Sequence, residues 1–258
     1  MSEHSKPKNQ FDEVQRVQEE QYSFPFHYVS QFRKNFRATV FDGYGLKYVS
    51  SMEFLLNYLK KESFHTLIDV GCGDGRLVRE LSLEFPDKTI SGFDYSERSI
   101  NLAKGLNPGL NFKKINILEE NLEKKVDFAT LIEVFEHIPL DACNQFAKAV
   151  ANLIIPGGKL IVTVPHRNLS LSDKHYQHFT SETLKKYFEP YFDTEKLIFL
   201  EKRKTAHAWL YKRLMKNKLF LLNNKNLLNW IYKNYKKRVL IATSDLDCEK
   251  LFLVLKKK

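Results

Sequence analysis

The stretch Leu67-Ile68-Asp69-Val70-Gly71-Cys72-Gly73-Asp74-Gly75 decides how the rest of the chain reads. The run from His65 to Val70 (HTLIDV) predicts a buried strand, and Arg76 to Phe85 predicts a helix. The glycines between them predict a tight strand-to-helix turn whose backbone a ligand can approach closely. The next strand, Lys88 to Phe93, ends at Asp94, 19 residues after Gly75. A carboxylate there could accept hydrogen bonds from both hydroxyls of a ribose. The spacing is GxGxG preceded by Asp69, not the GxGxxG of a dinucleotide-binding dehydrogenase. The pattern therefore points to a nucleotide-type site of another kind.

Outward from this loop, strand and helix alternate. Ser96 is a candidate N-cap for a helix reaching about Gly105. Asn111 to Ile115, Val126 to Ile132 and Lys159 to Val164 read as strands, with a helix from about Leu140 to Leu153 before a turn at Pro156-Gly157-Gly158. Thr180 to Phe188 reads as a helix, Thr194 to Leu200 as a strand, and Lys250 to Leu255 as the last strand. Such βαβ alternation predicts an α/β fold with a doubly wound, mostly parallel sheet. Upstream, residues 1 to about 20 are polar, Tyr22 to Tyr28 (YSFPFHY) is aromatic around Pro25, and Tyr48 to Lys61 has helical spacing. We read 1–62 as an N-terminal cap or lid segment and 63–258 as the ligand-binding domain, with a helical insertion at about 201–245 before the last strand.

The 258 residues, 43% of them apolar, suffice for one large domain with a full core, and 28% charged residues argue against a disordered chain. No apolar run reaches the roughly 20 residues of a membrane span; Leu153 to Val164 is broken by its Pro-Gly-Gly-Lys. The start, MSEHSKPKNQFDEVQ, has no apolar segment behind a basic one, and the expected location is cytoplasmic. Cys72, Cys143 and Cys248 are too few and too scattered for a disulfide framework or a CxxC zinc site. Net charge is +10, but Lys202 to Ser244 holds 12 Lys/Arg and no acid, leaving the remaining chain at −2. Ala208, Tyr211, Met215, Leu219 and Leu222 recur there at helical spacing, so this stretch predicts two basic amphipathic helices. They read either as a substrate-covering insertion with a solvated lysine face, or as a surface for an anionic partner. That partner could be a nucleotide- or lipid-linked substrate, a membrane surface or a nucleic acid.

Four segments in order carry a resemblance to the class I S-adenosylmethionine (SAM) methyltransferases: LIDVGCGDG (67–75), the acid in SGFDYS (91–96), LIEVFEHI (131–138) and LIIPGGKLIVTVP (153–165). The resemblance covers most of Phe64 to Leu200. It implies a Rossmann-like seven-stranded sheet whose last strand is antiparallel, which CEKLFLVLKKK (248–258) suits. It also implies SAM as cofactor, with Asp69, Gly71, Cys72, Gly73 and Gly75 under its methionine and ribose, Asp94 on the ribose, and Tyr95, Asn116 and Ile117 beside the adenine. Asn116 stands where the family carries an acid; its amide oxygen can still accept a hydrogen bond.

A hydroxyl acceptor needs alignment and a proton acceptor. His137, His166 and His178 are the candidate catalytic bases. Glu133 is a candidate cofactor contact, and Tyr22, His27, Tyr28 and His175 are candidate lid or substrate residues. The spacing Glu133-x-x-Glu136-His137 with a later His178 also resembles the magnesium or manganese site of small-RNA 3′-terminal 2′-O-methyltransferases. The same spacing occurs in quinone and sugar enzymes. YSFPFHY, KHYQHFT (174–180) and the basic insertion resemble methyltransferases of bacterial surface-polysaccharide synthesis. The expected activity is thus O-methylation of a small, phosphate-bearing or glycan-linked acceptor, with an RNA 3′ end or a quinone or lipid-quinol as alternatives. Peripheral membrane contact through the insertion is a further expectation.

Overall fold

A computed structural model describes residues 15, 44–120, 122, 125–215, 222 and 224–258. The candidate lid residues Tyr22, His27 and Tyr28, and Leu219 of the basic stretch, lie outside the described residues. In chain order the elements are α1 (Tyr44–Leu59), β1 (Thr66–Val70), α2 (Arg76–Glu84), β2 (Thr89–Asp94), α3 (Glu97–Leu106), β3 (Asn111–Lys114), β4 (Val126–Ile132) and α4 (Cys143–Asn152). They continue with β5 (Ile154–Pro165), α5 (Ser181–Phe188), β6 (Phe192–Lys202), α6 (Ala206–Met215), α7 (Lys225–Arg238) and β7 (Cys248–Lys257).

The seven strands order as β3-β2-β1-β4-β5-β7-β6. β3, β2, β1, β4 and β5 run parallel; β7 is antiparallel to both β5 and β6. This is the expected Rossmann-like sheet with its reversed last strand. β1 and β4 are nearly continuous apolar runs because helices cover both faces of a central parallel strand. One face packs against α1, α2, α3, α6 and α7, the other against α4 and α5. α1, within the segment read as a cap, is built into the first of these layers through Val49, Leu55, Leu56 and Leu59.

Local chemistry sets the helix starts. The Ser96 side chain accepts from Ser99 N–H at α3, Thr180 and Thr183 form a reciprocal capping box at α5, and Asn224 accepts from Leu227 N–H at α7. The expected turn at Pro156-Gly157-Gly158 is instead an irregularity inside a longer β5. Val126 pairs with Ile154 and Phe128 with Lys159, so the intervening residues bulge from the ladder. Chain direction across the sheet reverses between β1 and β4, and at such a switch point a crevice opens beyond the carboxyl ends of the strands.

Candidate active site

A cavity of about 730 Å³ fills that crevice. Its first half is built by the glycine loop. Gly71, Gly73 and Gly75 have φ of 71°, 54° and 78°, a region L-residues rarely adopt. A Cβ on Gly71 would stand 2.6 Å from Val134, so the loop lies flush against the segment after β4. Gly71 N–H and Cys72 N–H both donate to Phe93 O at 2.9 Å, tying the loop to β2. Asp94 is fixed from behind: its Oδ2 accepts from Gly73 N–H (3.0 Å) and its Oδ1 from Ser96 N–H (2.9 Å). Asp69 is buried and accepts from Thr130 Oγ1 at 2.7 Å. Burial, reinforced by the Asp94 charge, pushes its carboxyl up to about 7. Burial likewise pushes the Cys72 thiol well up. Val70, Phe93, Ile115 and Ile117 supply apolar wall, Tyr95 stands half-exposed, and the Asn116 carboxamide oxygen accepts from Leu118 N–H at 3.2 Å.

These groups fit S-adenosylmethionine. A buried carboxylate without an ion-pair partner among the described residues suits an ammonium, Asp94 suits ribose hydroxyls, and the apolar wall with Asn116 suits a purine.

The second half is charged. The peptide turns sharply after β4 at Glu133 (φ 56°), and a single-turn helix, Phe135–His137, follows. Phe135 is fully buried against Phe146, Phe179, Tyr187 and Phe188, with ring centroids 5.1–6.0 Å apart. That anchor presents Glu136 and His137 to the cavity. Opposite them, the segment 172–175 brings Ser172, Lys174 and His175 to the same wall.

The hydrogen bonds settle the imidazole tautomers. His137 Nδ1 lies 2.7 Å from Lys174 O, and a carbonyl only accepts, so Nδ1 carries the proton and Nε2 keeps its lone pair. His178 Nδ1 lies 3.2 Å from Leu169 O by the same logic, and its Nε2 therefore accepts from His175 Nδ1 at 2.7 Å. His175 Nε2 is thus also an acceptor. Among the described residues the buried Glu136 Oε2 has no hydrogen-bond partner. The ligand atoms of Glu136, His137 and His175 all lie within 4.8 Å of one another. Burial holds both imidazoles neutral, His137 at about 4 and His175 at about 2. Burial and then the Glu133 charge push the Glu136 carboxyl well up.

The structure rearranges the sequence-derived set. Of Glu133, Glu136, His137 and His178, only Glu136 and His137 belong to the cluster, and His175 completes it. His178 sits behind His175 and does not line the cavity. Glu133 is drawn to the other side, where Oε1 accepts from Thr163 Oγ1 (3.0 Å) and Oε2 lies 3.4 Å from Lys250 Nζ. His166 is also off the cavity wall: it is buried, its Nδ1 accepts from Asn168 N–H, and its Nε2 lies 3.2 Å from Asp245 Oδ1 without hydrogen-bond alignment.

Sequence reading passed over a second charged group on the same wall. Lys250 bridges Glu133 and Glu201, and Lys47 bridges Glu201 and Glu249. Glu201, like Glu133, is a non-glycine residue with positive φ (62°), and Lys250 holds both. The neighbouring cations hold the Glu201 carboxyl down against its burial, and its carboxylate neighbours hold the Lys250 ammonium up. The available signal was the apposition of Glu249-Lys250 and Glu201 at facing ends of the two strands expected to flank the insertion.

Comparison with known proteins agrees with this fold. A family model described as a methyltransferase domain matches residues 41–234. The chain is 33% identical over 129 residues to a small RNA 2′-O-methyltransferase of Arabidopsis thaliana, covering 45% of this chain and 14% of that protein. It is 31% identical over 108 residues to a ubiquinone biosynthesis O-methyltransferase of Dechloromonas aromatica (strain RCB), covering 40% of this chain and 45% of that one. These matches span less than half the length of the curated relatives. The solved structure of the N-methyltransferase NodS from Bradyrhizobium japonicum WM9 with S-adenosyl-L-homocysteine shares the fold. Its TM-score is 0.61 at 12% identity, over 95% of this chain and 99% of that chain.

Proposed function

The chain belongs to the class I SAM-dependent methyltransferases, and from that premise we propose that it methylates a hydroxyl group of a small, hydrophilic, anionic acceptor of the sugar type, such as a precursor of a bacterial surface polysaccharide. The observation that carries this reading is the convergence of one ligand atom each from Glu136, His137 and His175 within 4.8 Å of one another. SAM supplies an electrophilic methyl group; Asp69, Gly71, Cys72, Gly73, Gly75, Asp94, Tyr95, Asn116 and Ile117 are the residues assigned to hold it. Glu133, Glu136, His137 and His175 then face the acceptor.

Imidazoles held at about 4 and about 2 are weak bases by themselves, but they are good neutral ligands. His137 donates its other N–H to a backbone carbonyl and His175 to His178, the outer arrangement that orients metal-bound histidines. With two imidazoles to one carboxylate, Glu136, His137 and His175 suit a transition ion such as manganese better than magnesium, which prefers oxygen ligands. A divalent ion there would lower the pKa of an acceptor hydroxyl. The surrounding wall of Lys47, Lys174, Glu201 and Glu249 favours a polyhydroxylated acceptor over a prenylated quinone, which needs an apolar wall. The cation Lys174 supports an acceptor that bears phosphate.

A second reading, methylation of an RNA 3′ end, is favoured by the same donor cluster together with the small-RNA relative. The discriminating experiment is methyl transfer from labelled SAM to a nucleotide-sugar panel and a short RNA, before and after chelation. Transfer to a sugar hydroxyl that chelation abolishes and manganese restores is the expected result. Preference for the RNA end selects the second reading, transfer that persists after chelation removes the metal, and methylation only at nitrogen or carbon overturns both.

A further inference from the structure

The insertion between β6 and β7 carries more apolar surface than the fold uses. α6 and α7 pack through Tyr211, Met215, Leu228, Ile231, Tyr232 and Tyr235, all buried. Tyr211 sets its ring near Trp230 and Tyr235, at 6.3 and 6.5 Å between centroids. Tyr232 donates to Glu53, and Lys236 pairs with the same carboxylate, which fastens α7 to α1. The opposite stripes face solvent. On α6 Trp209 is 64% exposed beside Leu210, with the Arg213 guanidinium over its ring at 5.8 Å. On α7 Trp230 is 51% exposed beside Leu227, and Lys233 and Lys237 follow on the same stripe at helical spacing.

We propose that this outer face of α6 and α7 docks on an anionic lipid bilayer, with Trp209 and Trp230 at headgroup level and the lysines and arginines over acidic headgroups. Single exposed apolar residues are ordinary, but here both tryptophans of the chain and two leucines lie open within a stretch of 12 basic and no acidic residues. Amphipathic rings flanked by cations are the composition of an interfacial helix. Leu210 and Leu227 favour lipid over nucleic acid, because an aliphatic side chain gains nothing from a phosphodiester strand but gains free energy on leaving water for the acyl boundary. Placement agrees. The insertion leaves the sheet directly after Glu201 and Lys202 and returns just before Glu249 and Lys250, three of which line the cavity, so the insertion is rooted at the charged half of the site. This surface is independent of which acceptor is methylated.

Because Trp209 and Trp230 are the two tryptophans present, selectively excited tryptophan emission reports on this face alone. The experiment titrates the full chain with phosphatidylcholine vesicles, with and without roughly one third phosphatidylglycerol, and reads emission wavelength and co-sedimentation. The expected result is a blue shift and co-sedimentation only with phosphatidylglycerol, weakened by salt. Lys233→Gln and Lys237→Gln should each lower partitioning about fivefold. Trp209→Ala with Trp230→Ala should lower it further, with S-adenosylhomocysteine binding retained as proof of folding. Absence of binding to anionic vesicles overturns the proposal, as does equal binding to pure phosphatidylcholine. Quenching by single-stranded RNA without vesicle binding overturns it in favour of a nucleic-acid surface.

Discussion

The titration of His137 offers a quantitative test of the acceptor half. A histidine in an unfolded chain takes up a proton near pH 6.5; burial in this site lowers that to about 4. Between those values the unfolded chain binds a proton that the folded chain refuses. Stability is therefore full above about pH 6.5 and falls as the pH drops toward 4, by about 1.4 kcal/mol per pH unit and about 3 kcal/mol in total. His175, lower still at about 2, adds to the loss in the same direction. His137→Asn isolates the first contribution, since its amide can still donate to Lys174 O but does not titrate. Urea unfolding of both proteins at a series of pH values should give curves that converge on acidification, the wild type losing about 3 kcal/mol more than the variant. Parallel curves would refute the claim that the fold holds this imidazole neutral.

Other perturbations separate the parts of the site. Gly71→Ala places a Cβ 2.6 Å from Val134 at a φ of 71°, so it should destabilise by at least about 1–2 kcal/mol and abolish S-adenosylhomocysteine binding; unaltered binding by calorimetry would contradict the loop's role. Lys250→Met strips the shared cation from Glu133 and Glu201. Its cost should fall near the lower end of about 3–5 kcal/mol because Lys47 stays beside Glu201, and Glu201→Gln should restore part of it in a thermal melt. Burial opposes the charge on Glu136 and its Oε2 has no hydrogen-bond partner among the described residues, so Glu136→Gln should change stability by less than about 1 kcal/mol. A large loss on urea unfolding would instead mark Glu136 as a structural ion partner.

Much of this was legible in the sequence because it was local. The glycine loop, Asp94 and the apolar runs of β1 and β4 occupy single segments whose spacing carries the geometry, and the Ser96, Thr180 and Asn224 helix starts follow from neighbours three residues on. The cluster was less legible because its membership depends on ring rotation. His175 and His178 lie on one short segment, and the bond of His178 to the Leu169 carbonyl sets it behind His175, which lines the cavity. Lys250 and Glu201 were missed for a related reason. Each is unremarkable in its own strand, and their pairing exists because β6 and β7 run antiparallel with Leu200 opposite Lys250. The bulge at Pro156-Gly157-Gly158 read as a turn because a wide irregularity within a strand uses the same residues as a chain reversal.

The central claim is that one cavity divides between a cofactor half around Asp94 and an acceptor half around Glu136. Calorimetry with S-adenosylhomocysteine, paired with methyl transfer, on the wild type, Asp94→Asn and Glu136→Gln tests it most directly. The account predicts binding weakened about tenfold to a hundredfold in Asp94→Asn, as expected for lost charge-assisted hydrogen bonds, and near-native binding in Glu136→Gln with transfer abolished. Glu136→Gln losing cofactor affinity as severely as Asp94→Asn, or retaining full transfer, would contradict the division.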